Sequence, residues 1–302
     1  YHKMTVLCNC MLQFCVRIAN FAASLNLETK MELKKLTVRT LSGIIYCGII
    51  VGCILIGHEA VAIMASVLAT IAVIEFSKIN SDLNARRIPT LLLDIAGCIA
   101  LCFGVYVYPI ILWVAIMIAR FVEELYINEN KPLHNLANSM MTQIYIGIPL
   151  ACAVGISYLF SRPEALLAVF LFLWINDTGA FLVGSTIGRH RLFERISPKK
   201  SWEGFFGGAA FTVAAALLFC YTCSGFFGFD NDALLWIGLA VVTVIFGTWG
   251  DLVESMIKRT LNIKDSGNII PGHGGILDRI DSLLLAAPAV LIYLILWELL
   301  RF

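Results

Sequence analysis

The sequence predicts an all-α, polytopic integral membrane protein with about nine transmembrane helices. Three observations predict it. Hydrophobic residues fill 59% of the 302 positions and charged residues only 14%, where soluble domains are nearer one quarter charged, and mean hydropathy is +0.85. The apolar residues gather into stretches long enough to cross a hydrocarbon core as helices, which takes roughly 20 residues. Lipid admits only helices and closed barrels, and these stretches do not alternate as barrel strands do. Lysine and arginine, finally, fall on alternate connections between the stretches.

Taken in order, residues 1–30 read as an N-terminal extension. Met4 to Leu25 is apolar apart from Asn9, Gln13, Arg17, Asn20 and hydroxyl side chains, which suits an extra helix or a leader. Met31 then opens a basic start, MELKKLTVRT, just ahead of an apolar run, and a chain beginning there is expected to keep its activity. Residues 31–302 form a single integral membrane domain. Its apolar segments fall near 41–57, 60–77, 90–108, 109–127, 142–160, 164–184, 204–222, 234–256 and 283–300. The third and fourth meet at Tyr108-Pro109, a very tight turn.

With the N-terminus inside, the inner connections carry 17 of the Lys and Arg residues from Met31 onward and the outer ones only Arg162 and Arg301. That is a positive-inside distribution, and it directs the polar connections to the cytoplasm. Ten cysteines do not form a disulfide framework here. Cys47, Cys53, Cys98, Cys102, Cys152 and Cys220 lie in apolar runs, where cysteine behaves as a small hydrophobe. Cys220 and Cys223 make a CxxC with no second pair to complete a zinc site. Gly204 and Gly208, four apart, permit close helix packing, either within the chain or across a homodimer.

The chemistry gathers in two inner connections. Asp251, Glu254, Ser255 and Lys258 share one helical face by their i, i+3, i+4, i+7 spacing, and acids so near hydrocarbon are expected to face a cavity. Asp278 and Asp281 stand one turn apart at the start of the last segment. With Asp251 they make a hard oxygen site suited to Mg²⁺ completed by phosphate oxygens; helix capping by acids is the alternative. Pro271-Gly272-His273-Gly274-Gly275 precedes that helix, and its backbone N–H groups suit phosphate. His273 either bonds substrate or pins the loop. The earlier connection, Ser197-Pro198-Lys199-Lys200-Ser201-Trp202-Glu203-Gly204, offers two lysines and two serines to phosphate, or anchors the chain at the interface. Asp177 lies well inside an apolar span and is expected to be paired or functional.

From Ser255 to Asp281 the chain closely resembles the signature of the phosphatidate cytidylyltransferases. That signature reads S-x-x-K-R, four residues, K-D, then a small residue and P-x-H-G-G ahead of D-R-x-D. Ser255, Lys258, Arg259, Lys264, Asp265, Gly267, Pro271, His273, Gly274, Gly275, Asp278, Arg279 and Asp281 fall into it without a gap. The SPKKSWEG run and Asn176-Asp177-Thr178-Gly179-Ala180 are similar to the same family, so the motifs span 174–282. The resemblance implies an Mg²⁺-dependent nucleotidyltransferase with CTP and phosphatidic acid as partners, in a lipid bilayer and without nucleic acid. It implies a cell inner (plasma) membrane enzyme with its active site facing the cytoplasm. Asp251, Asp278 and Asp281 are then expected to bind metal. Lys199, Lys200, Lys258, Arg259 and Lys264 hold phosphates, with Ser197, Ser201 and His273 orienting them and Asp265, Gly274, Gly275 and Arg279 completing the site. A CTP-dependent polyprenol kinase or an archaeal-type lipid cytidylyltransferase is the nearest rival. An ion-coupled transporter, using Glu75, Asp94 and Asp177, is a more distant one, because the charge is massed in two inner loops rather than at the midplane.

Overall fold

The computed structural model describes residues 30–80, 88–104, 106–127, 131–159, 162–267 and 274–300; most of the N-terminal extension and residues Pro271, Gly272 and His273 lie outside them. Ten α-helices are described: α1 (Lys30–Ile56), α2 (His58–Asn80), α3 (Ile88–Cys102), α4 (Val107–Leu125), α5 (Pro132–Thr142), α6 (Ile148–Leu159), α7 (Glu164–Ile187), α8 (Trp202–Phe227), α9 (Ala233–Thr260) and α10 (Leu277–Leu300). Each of the nine apolar segments falls largely on described helix. Six stretches, α2, α5–α6 together, α7, α8, α9 and α10, are long and apolar enough to cross a membrane. The apolar part of α1 (Thr40–Ile56) and α3 are shorter, and α4 carries Arg120, Glu123 and Glu124 within 19 residues. The count of nine spans is therefore not established, although the all-α polytopic class is.

Two departures from the expected pattern have local causes. α5 and α6 are one continuous rod joined through a π-helical segment, Gln143–Gly147. Its first half, Pro132–Thr142, is too polar to read as a span. The polar groups have partners nonetheless: Arg120 Nε donates to Ser139 Oγ at 2.9 Å, Ser139 Oγ donates to Asp94 at 3.2 Å, and Asn135 donates to Glu124 at 2.9 Å. The second departure is a small hairpin outside the spans, β1 (Arg191–Phe193) antiparallel to β2 (Ser197–Ser201). Glu203 closes it by accepting from the N–H groups of Arg189 and His190 at 3.1 and 3.2 Å.

α7 packs along α8 and α9 along α10 as the two most extensive helix pairs. The first pair is close because both faces are small: a Cβ on Gly204 would stand 2.9 Å from the Ala180 carbonyl, and one on Gly208 would stand 2.8 Å from that of Asn176. The Gly204–Gly208 pair is thus used inside the chain. At one end of the molecule Trp236 is wholly buried among Phe172, Phe219, Phe227 and Phe229, and its indole N–H reaches the Asp230 carbonyl at 3.1 Å. α8 breaks helical geometry at Cys223, next to where its apolar segment was expected to end. The seven described cysteines are free thiols.

Candidate active site

The site forms where four helix ends meet the hairpin. α9 presents Asp251, Glu254, Ser255 and Lys258 along one face as the spacing required: Ser255 Oγ donates to Asp251 at 3.2 Å and Lys258 Nζ to Glu254 at 2.6 Å. Lys258 also reaches Asp278 on α10 at 2.6 Å, so one ammonium ties two helices through two carboxylates. α9 ends with Asn262 in the left-handed region (φ 55), which asparagine tolerates. The Ile263 N–H then folds back on the Lys258 carbonyl at 2.9 Å, a helix-closing bond.

Asp278 is fully engaged. One oxygen takes Lys258; the other accepts from Ser266 N–H, Ser266 Oγ and Gly275 N–H, each at 2.9 Å. It ties Ser266, within the α9–α10 connection, to Gly275 at the start of α10. Gly274 makes the turn possible: its φ is +85, and a Cβ there would stand 2.8 Å from the Asp278 carboxylate. The N–H groups of Gly275, Ile276 and Leu277, at the helix start expected to receive phosphate, are therefore given to carboxylates of the chain itself: Gly275 to Asp278, Ile276 and Leu277 to Glu75 at 3.0 Å each.

The hairpin joins this group through Lys200, whose ammonium lies 2.6 Å from Asp251. Asp177 on α7 lies within electrostatic range of Lys200 and Asp251, and Asp281 in that of Asp251, Glu254 and Asp177. Beside these groups lies a cavity of about 230 Å³ between α1, α7 and α10. Its lining includes Asp177, Asp278, Arg279 and Asp281, together with Tyr46, Phe170, Leu173 and Trp174. Asp177 and Asp251 lie about Lys200, and Asp281 lies within range of both carboxylates. Three neighbouring carboxylates are hard oxygen donors of the kind that suit a hard divalent ion. Among the described residues no three His, Cys, Asp or Glu side chains form a cage for one, so substrate oxygens and water would complete its shell.

The remaining expected residues divide by exposure. Lys199, Arg259, Lys264, Asp265 and Arg279 are exposed at the rim; Arg259 also reaches the Ile263 carbonyl at 3.3 Å. Ser197 is half-buried. Ser201 is buried and caps α8 by accepting from Gly204 N–H at 3.1 Å, a structural role beside the expected one. His273 lies outside the described residues. Sequence reading missed Tyr46, whose hydroxyl donates to the Arg279 carbonyl at 3.2 Å, and the partnership of Glu75 with α10. The one available signal was an acid in an apolar run, which spacing alone cannot pair.

A bundle of apolar helices with its ionisable groups gathered at one end, over a cavity part acidic and part aromatic, defines an integral membrane enzyme that handles phosphate-bearing, amphipathic substrates. Residues 37–297 match the cytidylyltransferase family, and the chain belongs to it. It is similar to phosphatidate cytidylyltransferase of Staphylococcus aureus strain COL, 34% identical over 271 residues that cover 85% of this chain and 98% of that protein. It is likewise similar to the Staphylococcus epidermidis RP62A protein of the same name, 35% identical over 267 residues with 85% and 98% covered. A third, from Staphylococcus saprophyticus, is 42% identical over 163 residues, 52% of this chain and 58% of that protein.

Proposed function

We propose that this chain transfers the cytidylyl group of CTP to phosphatidic acid, giving CDP-diacylglycerol and pyrophosphate, in phospholipid biosynthesis. The observation that carries this reading is the Lys200–Asp251 contact at 2.6 Å. It brings the hairpin against α9, 51 residues further along the chain, on the face that also carries Glu254, Ser255 and Lys258.

An oxygen of the lipid phosphate attacks the α-phosphorus of CTP. A P–O bond forms there as the bond to the oxygen bridging to the β-phosphate breaks, and pyrophosphate leaves with the electron pair. The nucleophile is already an anion, so the task is to bring anions together rather than to remove a proton. We assign the exposed Lys199, Arg259 and Lys264 to the triphosphate, and Lys200, paired with Asp251, to the acidic cluster where the phosphates would meet. Lys258 has its charge answered by Glu254 and Asp278, so it acts as the pin between α9 and α10. The cavity's aromatic wall suits the glyceride end of a lipid.

Mg²⁺, when bound, supplies charge neutralisation of the reacting phosphates and of the departing pyrophosphate. Asp251 and Asp281, with Asp177, are the carboxylates we assign to it. Asp278 would have to release Lys258 or its Ser266–Gly275 clasp to reach the ion. The 17-to-2 distribution of Lys and Arg supports our assignment of this end to the cytoplasmic side, where CTP is found, and of the chain to the plasma membrane. The reading is tested by presenting the purified protein with CTP and either phosphatidic acid or a polyprenol. Pyrophosphate release with phosphatidic acid alone supports it. Turnover with polyprenol and not phosphatidic acid sinks it.

A further inference from the structure

We infer that Glu75, on α2 and outside every motif of the family signature, is a positioning residue for the catalytic loop. Resting on the cytidylyl-transfer reading for its consequence in turnover, the inference has a structural core that can be tested without it.

α10 begins at Leu277, and the first N–H groups of a helix have no partner within it. A residue just ahead of the helix usually supplies one, but Gly274, Gly275 and Ile276 carry no group able to do so. The cap comes instead from 201 residues away: Glu75 accepts from Ile276 N–H and, with its other oxygen, from Leu277 N–H, both at 3.0 Å. A carboxylate also suits the positive end of the α10 dipole. Glu75 is 1% exposed, and among the described residues no Lys, Arg or His lies within ion-pair distance of it, so backbone N–H groups are what hold its charge. The fit is close on both sides. A Cβ on Gly267 would stand 2.7 Å from one Glu75 oxygen, and one on Gly275 would stand 2.6 Å from the other. Both glycines lie in the α9–α10 connection, next to the groups that Asp278 holds there, the N–H groups of Ser266 and Gly275. Two carboxylates, one from α2 and one from α10, thus hold residues 266 and 275–277 by hydrogen bonds. The α2 acid fixes where α10 starts, and with it the direction in which Asp278, Arg279 and Asp281 project.

Hydrogen–deuterium exchange and steady-state kinetics on the full chain in lipid-containing micelles test this. In Glu75→Gln the side-chain amide can accept from one N–H but sets its own N–H₂ against the other. Exchange across residues 274–283 is expected to rise about tenfold or more, the scale of a lost bond to a charged group, while α7 and α8 exchange as in the native protein. Turnover number is expected to fall about tenfold or more, with KM for CTP held within about threefold, because the loop is misplaced rather than the nucleotide unbound. Unchanged exchange at 274–283, an unchanged turnover number, or a rise spread evenly over all helices would each overturn the inference. A second pair guards against misfolding. Gly267→Ala is expected to slow turnover, and Glu75→Asp, one methylene shorter, is expected to relieve it, so the double variant turns over faster than the two single losses multiplied. Simple multiplication contradicts the clasp. A native protein that transfers no cytidylyl group would sink the functional reading and leave the exchange result to decide the clasp.

Discussion

Asp251 and Asp278 are equivalent in the signature and different in the structure. The Asp251 side chain keeps 32% of its exposure and has one lysine partner; that of Asp278 keeps 11% and satisfies a lysine and three further donors. Asp251→Asn is expected to cut turnover by about a hundredfold or more, the scale of lost electrostatic stabilisation, with the melting temperature unmoved. Asp278→Asn takes from Lys258 one of its two carboxylates, leaving Glu254, and loosens the connection. It is expected to cost on the order of 3 kcal/mol of stability as well as activity, read by thermal unfolding in detergent. Equal melting behaviour in the two variants would contradict the division of labour. Lys78→Ala, exposed and outside the motifs, serves as the control with near-native turnover. At this scale the sequence was legible in residue type and spacing, which put Asp251, Glu254, Ser255 and Lys258 on one face; the structure pairs Lys258 with Glu254 and Ser255 with Asp251. The sequence was silent on which acids keep oxygens free, since that depends on partners such as Ser266 and Glu75 that no spacing rule connects.

Among the elements, the apolar runs were legible because span length and hydropathy are set by the bilayer itself. α5 was not, since its polar residues are neutralised by α3 and α4, and neither was the hairpin, whose two short strands carry no periodic signal. The glycines Gly204 and Gly208 announced a close helix approach but not the partner, which proves to be α7. Gly208→Ala places a methyl against the Asn176 carbonyl and is expected to cost about 1–3 kcal/mol by overpacking, measured as a lowered unfolding temperature. Turnover is expected to fall with it, because α7 carries Asp177 and α8 carries the hairpin. Full stability in this variant would mean that the α7–α8 contact is looser than described.

For the whole molecule, the contacts sort the helix ends into two groups. Glu59, Tyr106 and Tyr158 meet at one end, with both tyrosine hydroxyls donating to Glu59 at 2.8 and 3.0 Å. Glu75, Lys200, Asp251 and Asp278 gather at the other. The expected Lys and Arg distribution would turn the second group to the cytoplasm, and labelling tests that. With native cysteines replaced by alanine, a single cysteine at Asp230 is expected to be labelled by an impermeant reagent on intact cells and one at Glu194 only after permeabilisation; the reverse pattern would invert the topology. The central claim, that the α-phosphorus of CTP is what moves, is tested most directly by following the label from CTP marked either at the α- or at the γ-phosphorus, with purified protein and phosphatidic acid. The account expects the α-label in the lipid and the γ-label in pyrophosphate, with both transfers lost in Asp251→Asn. Appearance of the γ-label in the lipid would make this a kinase and contradict it.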